Sequence, residues 1–151
     1  MTIRPCTRED LPVLARLFYD AVTAVKDYPP EQTAAWAGRW QTLSDRGEEF
    51  LSACTLLAEE DGVIVGYGKL DPVGYLYHLF VRPDRWRQGV ASALCDALEE
   101  QARRSGAVRI TVHASIPARP FFARRGYEVT GVNRVPIGDV TLRNYSMARD
   151  L

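Results

Sequence analysis

Leu79-Phe-Val-Arg-Pro-Asp-Arg-Trp-Arg-Gln-Gly-Val-Ala-Ser-Ala-Leu94 is the stretch in which one kind of backbone gives way to another. An apolar run rich in aromatics, Tyr75 to Val81, reads as a buried strand, and Arg82-Pro83-Asp84 ends it. Val90, Ala93, Leu94, Ala97, Leu98 and Ala102 then recur at helical spacing up to a stop near Gly106. The helix opens on Gln88-Gly89-Val90-Ala91. The first amides of a helix have no partner within it, and with the helix dipole they form a site for an anion. Gly89 and Ala91 keep the backbone bare enough for a phosphate to approach, with Arg85 and Arg87 adding charge at the rim. The plainer reading is that Gly89 only eases a strand-to-helix turn. No Gly-Lys-Ser/Thr follows, so this is not a P-loop, and a lone glycine is not GxGxxG.

Outward from this stretch, the periodicities set an order β-α-α-β-β-β-α-β-α-β-β. Ile3 to Cys6 is a short strand, followed by a capping-box-like Thr7 and Asp10. Leu11, Leu14, Phe18, Ala21, Val22 and Val25 predict a helix to about Lys26, broken at Asp27-Tyr28-Pro29-Pro30. A second helix runs from Pro30 through Trp36, and 40–52 is helical with looser periodicity. Asp61-Gly62 predicts a hairpin between 55–59 and 63–70. After the central helix come a strand at 108–112, a short helix at 119–125, and strands at about 127–133 and 139–148 joined near Pro136 and Gly138. There is no repeat, low-complexity tract or linker, so 1–151 is expected to be one domain.

Composition narrows the function. The chain has 151 residues with 19 Lys plus Arg against 19 Asp plus Glu, so it carries no net charge to attract nucleic acid or an anionic membrane. Three scattered cysteines, Cys6, Cys54 and Cys95, give no disulfide framework or zinc knuckle, and two histidines are too few for a His-rich metal site, so no metal is expected. No apolar stretch approaches a membrane span or a secretory signal, which makes a cytoplasmic protein the expectation.

Val81-Arg-Pro-Asp-x-x-Arg-Gln-Gly-Val-Ala-Ser-Ala-Leu94 resembles motif A of the GNAT superfamily of acyl-CoA-dependent N-acetyltransferases. Ala118-Arg-Pro-Phe-Phe-Ala-Arg-Arg-Gly-Tyr127 resembles its motif B, about 30 residues on. Tyr28-Pro-Pro-Glu-Gln-Thr-Ala-Ala-Trp36 and Ala114-Ser-Ile-Pro-Ala-Arg-Pro-Phe-Phe122 are similar to a largely uncharacterised bacterial subgroup. The resemblance covers nearly the whole chain. It implies an α/β fold with a central mixed, mostly antiparallel sheet of about seven strands and about four flanking helices. The sheet would splay between its fourth and fifth strands, 75–81 and 108–112, and pantetheine would lie in the opening. It also implies acetyl-CoA as cosubstrate. Arg87, Gln88, Gly89, Val90, Ala91 and Ser92 would hold the pyrophosphate. Leu79, Phe80 and Val81 would offer backbone groups to pantetheine. Ser115, Phe122 and Arg125 would complete the CoA contacts.

Four positions depart from the family pattern, one of them Tyr77, where related sequences often carry Asp. Trp86 stands where motif A begins with Gln or Arg, Ser115 where Asn is usual, and Phe122 where a Tyr is often credited as general acid. A thiolate leaves more readily than an alkoxide, so loss of a general acid slows transfer without forbidding it. Tyr127 and Tyr145 are phenols that can substitute. An attacking amine must also lose a proton, and the strand before motif A carries no carboxylate. Tyr77 aligns with the family's polar residue, and His78 has base chemistry. Period-two alternation puts these two on opposite faces unless a bulge intervenes. Tyr28, Gln32 and Trp36 are the candidate walls of an acceptor pocket, with Gln32, Trp36 and Trp40 sharing one helix face.

The reading is therefore direct acetyl transfer to a primary amine of a small molecule or peptide, by a monomer or homodimer. The rivals are a CoA-binding module without turnover, favoured by Trp86, Phe122 and Tyr77, and a protein whose aromatic cleft holds a different ligand.

Overall fold

The computed structural model describes the backbone of residues 1–151 and the side chains outside 42–44. Seven strands form one sheet: β1 (Thr2–Pro5), β2 (Cys54–Glu60), β3 (Val63–Leu70), β4 (Tyr75–Val81), β5 (Arg109–Ala114), β6 (Glu128–Ile137) and β7 (Val140–Asp150). Their spatial order is β1-β2-β3-β4-β5-β7-β6. Every neighbouring pair is antiparallel except β4 and β5. Among the described residues six α-helices flank the sheet: α1 (Leu11–Thr23), α2 (Pro30–Ala37), α3 (Trp40–Asp45), α4 (Gly47–Ser52), α5 (Val90–Arg104) and α6 (Arg119–Arg124). None is long and apolar enough to cross a membrane.

The strands fall close to where alternation and turn chemistry place them. Asp61 and Gly62 both have positive φ, 50° and 79°, as the tight turn between β2 and β3 requires. The helical half of the N-terminal region is more broken than its periodicity suggests. Thr7 and Asp10 do bond to each other, Thr7 N and Oγ1 both donating to Asp10 Oδ2, but they close a 3-10 turn at Arg8–Asp10 before α1. α1 ends at Thr23, short of Lys26. The helix expected from Pro30 through Trp36 is α2, and the stretch expected at 40–52 is two helices, α3 and α4. The break at Gly38 and Arg39 turns Trp40 away from the face of Trp36, and Trp40 packs instead on Tyr19 with ring centroids 6.4 Å apart. At the other end, Pro136 lies inside β6, which tolerates it because β6 is an edge strand, and the turn itself is at Gly138.

Two apolar layers hold the helices to the sheet. On one face α5 buries Val90, Leu94, Cys95, Leu98 and Ala102 against Val65, Leu70, Leu76 and Ile110. A buried leucine contributes about 1.5–3 kcal/mol, so Leu94 and Leu98, both 0% exposed, anchor this contact. Gly66 and Gly68 bring α5 close: a Cβ at Gly68 would lie 2.5 Å from Leu98 Cδ1. On the other face α1 and α4 contribute Leu14, Leu17 and Phe50 to a cluster with Leu57, Ile64 and Tyr67.

Candidate functional site

The parallel strands β4 and β5 pair only at Tyr75 with Thr111 and at Leu76 with Val112. Beyond that point they diverge, so the backbone of 77–81 on the side facing β5 has no strand partner. Unpaired strand backbone within a sheet invites an extended ligand. One end of this opening meets the start of α5, and its other face meets a cleft under α2.

At the start of α5 the first backbone bond runs from Ala93 N to Gly89 O, 3.0 Å, so the preceding amides have no partner within the helix. Gly89 has φ 87°, and a Cβ there would meet nothing within 4 Å. The glycine is therefore required by conformation, and it leaves open space in front of the helix. Arg87 is also left-handed, φ 62°, which costs an L-residue about 1–2 kcal/mol. Arg85, by contrast, is paired with Glu60 and Asp84, so it is not a free charge at this rim. Trp86 has a different task from the family residue it replaces. Its indole Nε1 donates to Val81 O at 2.8 Å, tying the loop back onto the end of β4. Gln88 Nε2 donates to Asp84 O and braces the same loop.

The cleft on the opposite face has a volume of about 210 Å³. Its aromatic walls are Tyr28, Trp36, Tyr75, Tyr77 and Phe80. Polar groups enter it from Arg39, His113, Ser115 and Asn144. Tyr28 is fixed in place by both ends of its hydroxyl, which donates to Arg143 O at 2.6 Å and accepts from Ile116 N at 2.9 Å. Burial raises its phenol pKa. Gln32 is not among the residues that line the cleft, so of the three acceptor-wall candidates Tyr28 and Trp36 meet there and Gln32 does not.

A bulge does intervene in β4. Lys69 pairs with His78 and Leu70 with Leu76, so Tyr77 is the extra residue. Tyr77 and His78 therefore lie on the same face, both in contact with the Lys69–Phe50 group. Lys69 Nζ sits 4.8 Å from the centroid of Tyr77 and of Phe50, and His78 packs on Phe50 at 5.3 Å. Their surroundings then differ. Tyr77 is 50% exposed, stacks on Tyr75 at 4.3 Å and lines the cleft. His78 lies below the cleft among Phe18, Phe50, Tyr67 and Phe80. Burial, and then the charge of Lys69, push its pKa down to about 3. An imidazole so weakly basic is a poor proton acceptor at neutral pH.

Tyr127 also departs from the expected role. Its hydroxyl donates to Glu99 Oε2 at 2.7 Å in a buried cluster, and burial followed by that bond raises its pKa. Glu99 Oε1 accepts from Arg125 and Arg149, and Arg125 also binds Asp96. The charged end of Arg125 is thus taken up within the protein rather than offered to a ligand. Phe122 is 2% exposed, with Phe121 and Tyr127 edge-on to it at 5.2 and 5.0 Å. Ser115 Oγ accepts from Ala118 N at 3.3 Å, capping the turn into α6, and its side chain lines the cleft.

Sequence context singles out neither Lys69 nor Glu99, whereas His113, near the end of its strand beside Ser115, is a candidate base. His113 is exposed, lines the cleft and faces Tyr75 at 5.2 Å. Lys69 is 7% exposed, 3.8 Å from Glu49, and burial lowers its pKa. Glu99 is 3% exposed. No group of three or more His, Cys, Asp or Glu suited to a metal occurs among the described residues.

Residues 24–143 match the family model described as an acetyltransferase (GNAT) domain. The chain is 34% identical over 147 residues to the uncharacterised N-acetyltransferase YafP of Escherichia coli K12, covering 91% of this chain and 88% of that one. It is similar to a solved GCN5-related N-acetyltransferase from Rhodopseudomonas palustris, with TM-score 0.94 and 36% identity over 99% of this chain and 95% of that one. It shares its fold with a PaiA N-acetyltransferase from Thermoplasma acidophilum, solved in complex with coenzyme A. There the TM-score is 0.81 and the identity 16%, over 99% of this chain and 98% of the other.

Proposed function

The chain belongs to the GNAT acetyltransferase family, and we propose that it moves an acetyl group from acetyl-CoA to the primary amine of a small molecule or peptide by direct attack. The observation that carries this reading is the opening of β4 from β5 after Leu76 and Val112, with unpaired helix amides on one side and an aromatic cleft on the other. The pyrophosphate sits on the amides of 87–92, beside the Arg87 guanidinium. Pantetheine runs along the unpaired edge of 79–81, and the thioester arrives at the cleft. Backbone N–H groups of that edge polarise the thioester carbonyl. The amine nitrogen bonds to the carbonyl carbon, the C–S bond breaks, and the electron pair leaves as the CoA thiolate. The amine's proton passes to the free nitrogen of a neutral His113 imidazole, or to Tyr77 reacting as its phenolate, both exposed in the cleft, directly or through one water. His78 and Tyr127, neutral and internally engaged, serve as packing.

The test is calorimetry with CoA on the wild type and on Gly89→Glu, together with thiol release from acetyl-CoA over a panel of amines. Wild-type binding, lost in the variant through steric block and charge repulsion, is expected. Normal CoA binding by Gly89→Glu would mean the phosphate site is misplaced. A second reading, a CoA-binding module without turnover, draws support from the engaged hydroxyl of Tyr127 and the buried Phe122. CoA binding without thiol release from any amine would select it.

A further inference from the structure

The cleft has a chemical asymmetry that selects among amines. Among the residues lining it there is no aspartate or glutamate, and its one permanently charged side chain is Arg39. Arg39 is exposed at the end of α2, at the mouth where that helix faces the hairpin between β6 and β7. It makes no ion pair among the described residues, although Asp139 shares the adjoining surface hollow. A polycationic acceptor needs carboxylates to replace its water, and here it would meet a guanidinium instead. A neutral or anionic far end meets no such penalty.

The walls specify the rest. Trp36 stands edge-on to Tyr28 and tilted to Phe80, with centroids 5.9 Å and 6.2 Å apart, and Tyr75 and Tyr77 stack in parallel, with His113 tilted against Tyr75. Such a lining accepts a flat ring. A volume of about 210 Å³ suits a small molecule or a single side chain.

From this lining we infer that the acceptor is a small primary alkylamine bearing an aromatic ring and a carboxylate, its ring between the aromatic walls and its carboxylate on Arg39. The inference rests on the acetyl-transfer reading for where the amine must point. A planar guanidinium bonds a carboxylate through two parallel N–H donors, which fixes the far end while the amine faces the thioester.

The experiment uses the whole protein and compounds that differ only at the far end. 4-(Aminomethyl)benzoate, its neutral amide 4-(aminomethyl)benzamide and the dication 1,4-bis(aminomethyl)benzene form one series. Phenylalanine and phenylalaninamide form a second, with the carboxylate beside the amine. The ratio kcat/KM is measured by thiol release, and affinity by calorimetry in the presence of CoA. In at least one series the carboxylate is expected to exceed its amide by about ten- to a hundredfold, the range of one charge-assisted pair, with the dication weakest. Arg39→Gln brings the carboxylate-to-amide ratio close to one, Arg39→Lys retains part of it, and both bind CoA as the wild type does. Carboxylates no better than amides in both series, or an unchanged ratio in Arg39→Gln, would overturn the inference. If no compound releases thiol, the acetyl-transfer reading fails on its own. The calorimetric ratio then still decides whether the cleft prefers the carboxylate.

Discussion

Between pH 7.5 and 5 the protein should lose about 2 kcal/mol of stability through His78 alone. The imidazole packs against Phe50, Phe80 and Phe18, and its Nδ1 lies 3.2 Å from the Tyr67 hydroxyl. Tyr67 is fully buried, which raises its phenol pKa well above the usual value, so it stays protonated beside a neutral ring. The charged groups around the site are Lys69, which opposes a second positive charge, and Glu49, which pairs with Lys69 rather than with the ring. With a folded pKa of about 3 against 6.5 in the unfolded chain, only the unfolded state binds a proton between those values. Stability is then complete above pH 6.5 and is lost as pH falls toward 3. At ~1.4 kcal/mol per pH unit, the step from 6.5 to 5 removes about 2 kcal/mol. Urea unfolding at pH 7.5, 6.0 and 5.0 should reveal this loss. His78→Gln keeps an acceptor for Tyr67 and has nothing to protonate, so its stability should fall by about 2 kcal/mol less over the same interval. Equal losses in the two proteins would mean that His78 is not held neutral by its surroundings.

Phe122→Tyr places a hydroxyl in a site that is 2% exposed, which should cost about 1–3 kcal/mol. An unchanged Tm together with faster acetyl transfer would show instead that the new hydroxyl reaches the reacting sulfur. Glu99→Gln removes the carboxylate shared by Tyr127, Arg125 and Arg149, and a destabilisation of ~3 kcal/mol is expected in denaturant titrations; a loss below about 1 kcal/mol would contradict a central role for that cluster. His113→Gln should lower kcat at saturating acceptor by about tenfold or more, with Tyr77→Phe adding a smaller loss. Wild-type rates in both variants would leave proton transfer to water alone.

Backbone-level features were legible because they depend on local pattern. Asp61-Gly62 sets its hairpin by turn chemistry, and the Val90–Ala102 repeat sets α5 by period. The opening between β4 and β5 came from the family resemblance, and the structure has it at the same two strands. Side-chain partners were less legible, because each depends on a residue distant in sequence. Alternation alone separates Tyr77 from His78, and only the register of β3 against β4 reveals the bulge that unites them. Glu99 had a signal, since it stands four residues after the inward-facing Cys95 and three before Ala102 on α5. A carboxylate at such a position requires a buried partner, and the partners, Arg125, Tyr127 and Arg149, come from three later segments of the chain. Lys69 carried a similar signal, two residues after the buried Tyr67 on the same strand face. Its ammonium is covered by the Phe50 and Tyr77 rings, one from α4 and one from the bulge. That placement has a consequence for the site. Burial first, and then this cation, depress the pKa of His78, while the same cation lies against the half-exposed Tyr77, so it is mainly burial that sets the two candidate bases apart. The phenol is left in the cleft beside a positive charge, while the imidazole beneath is kept neutral.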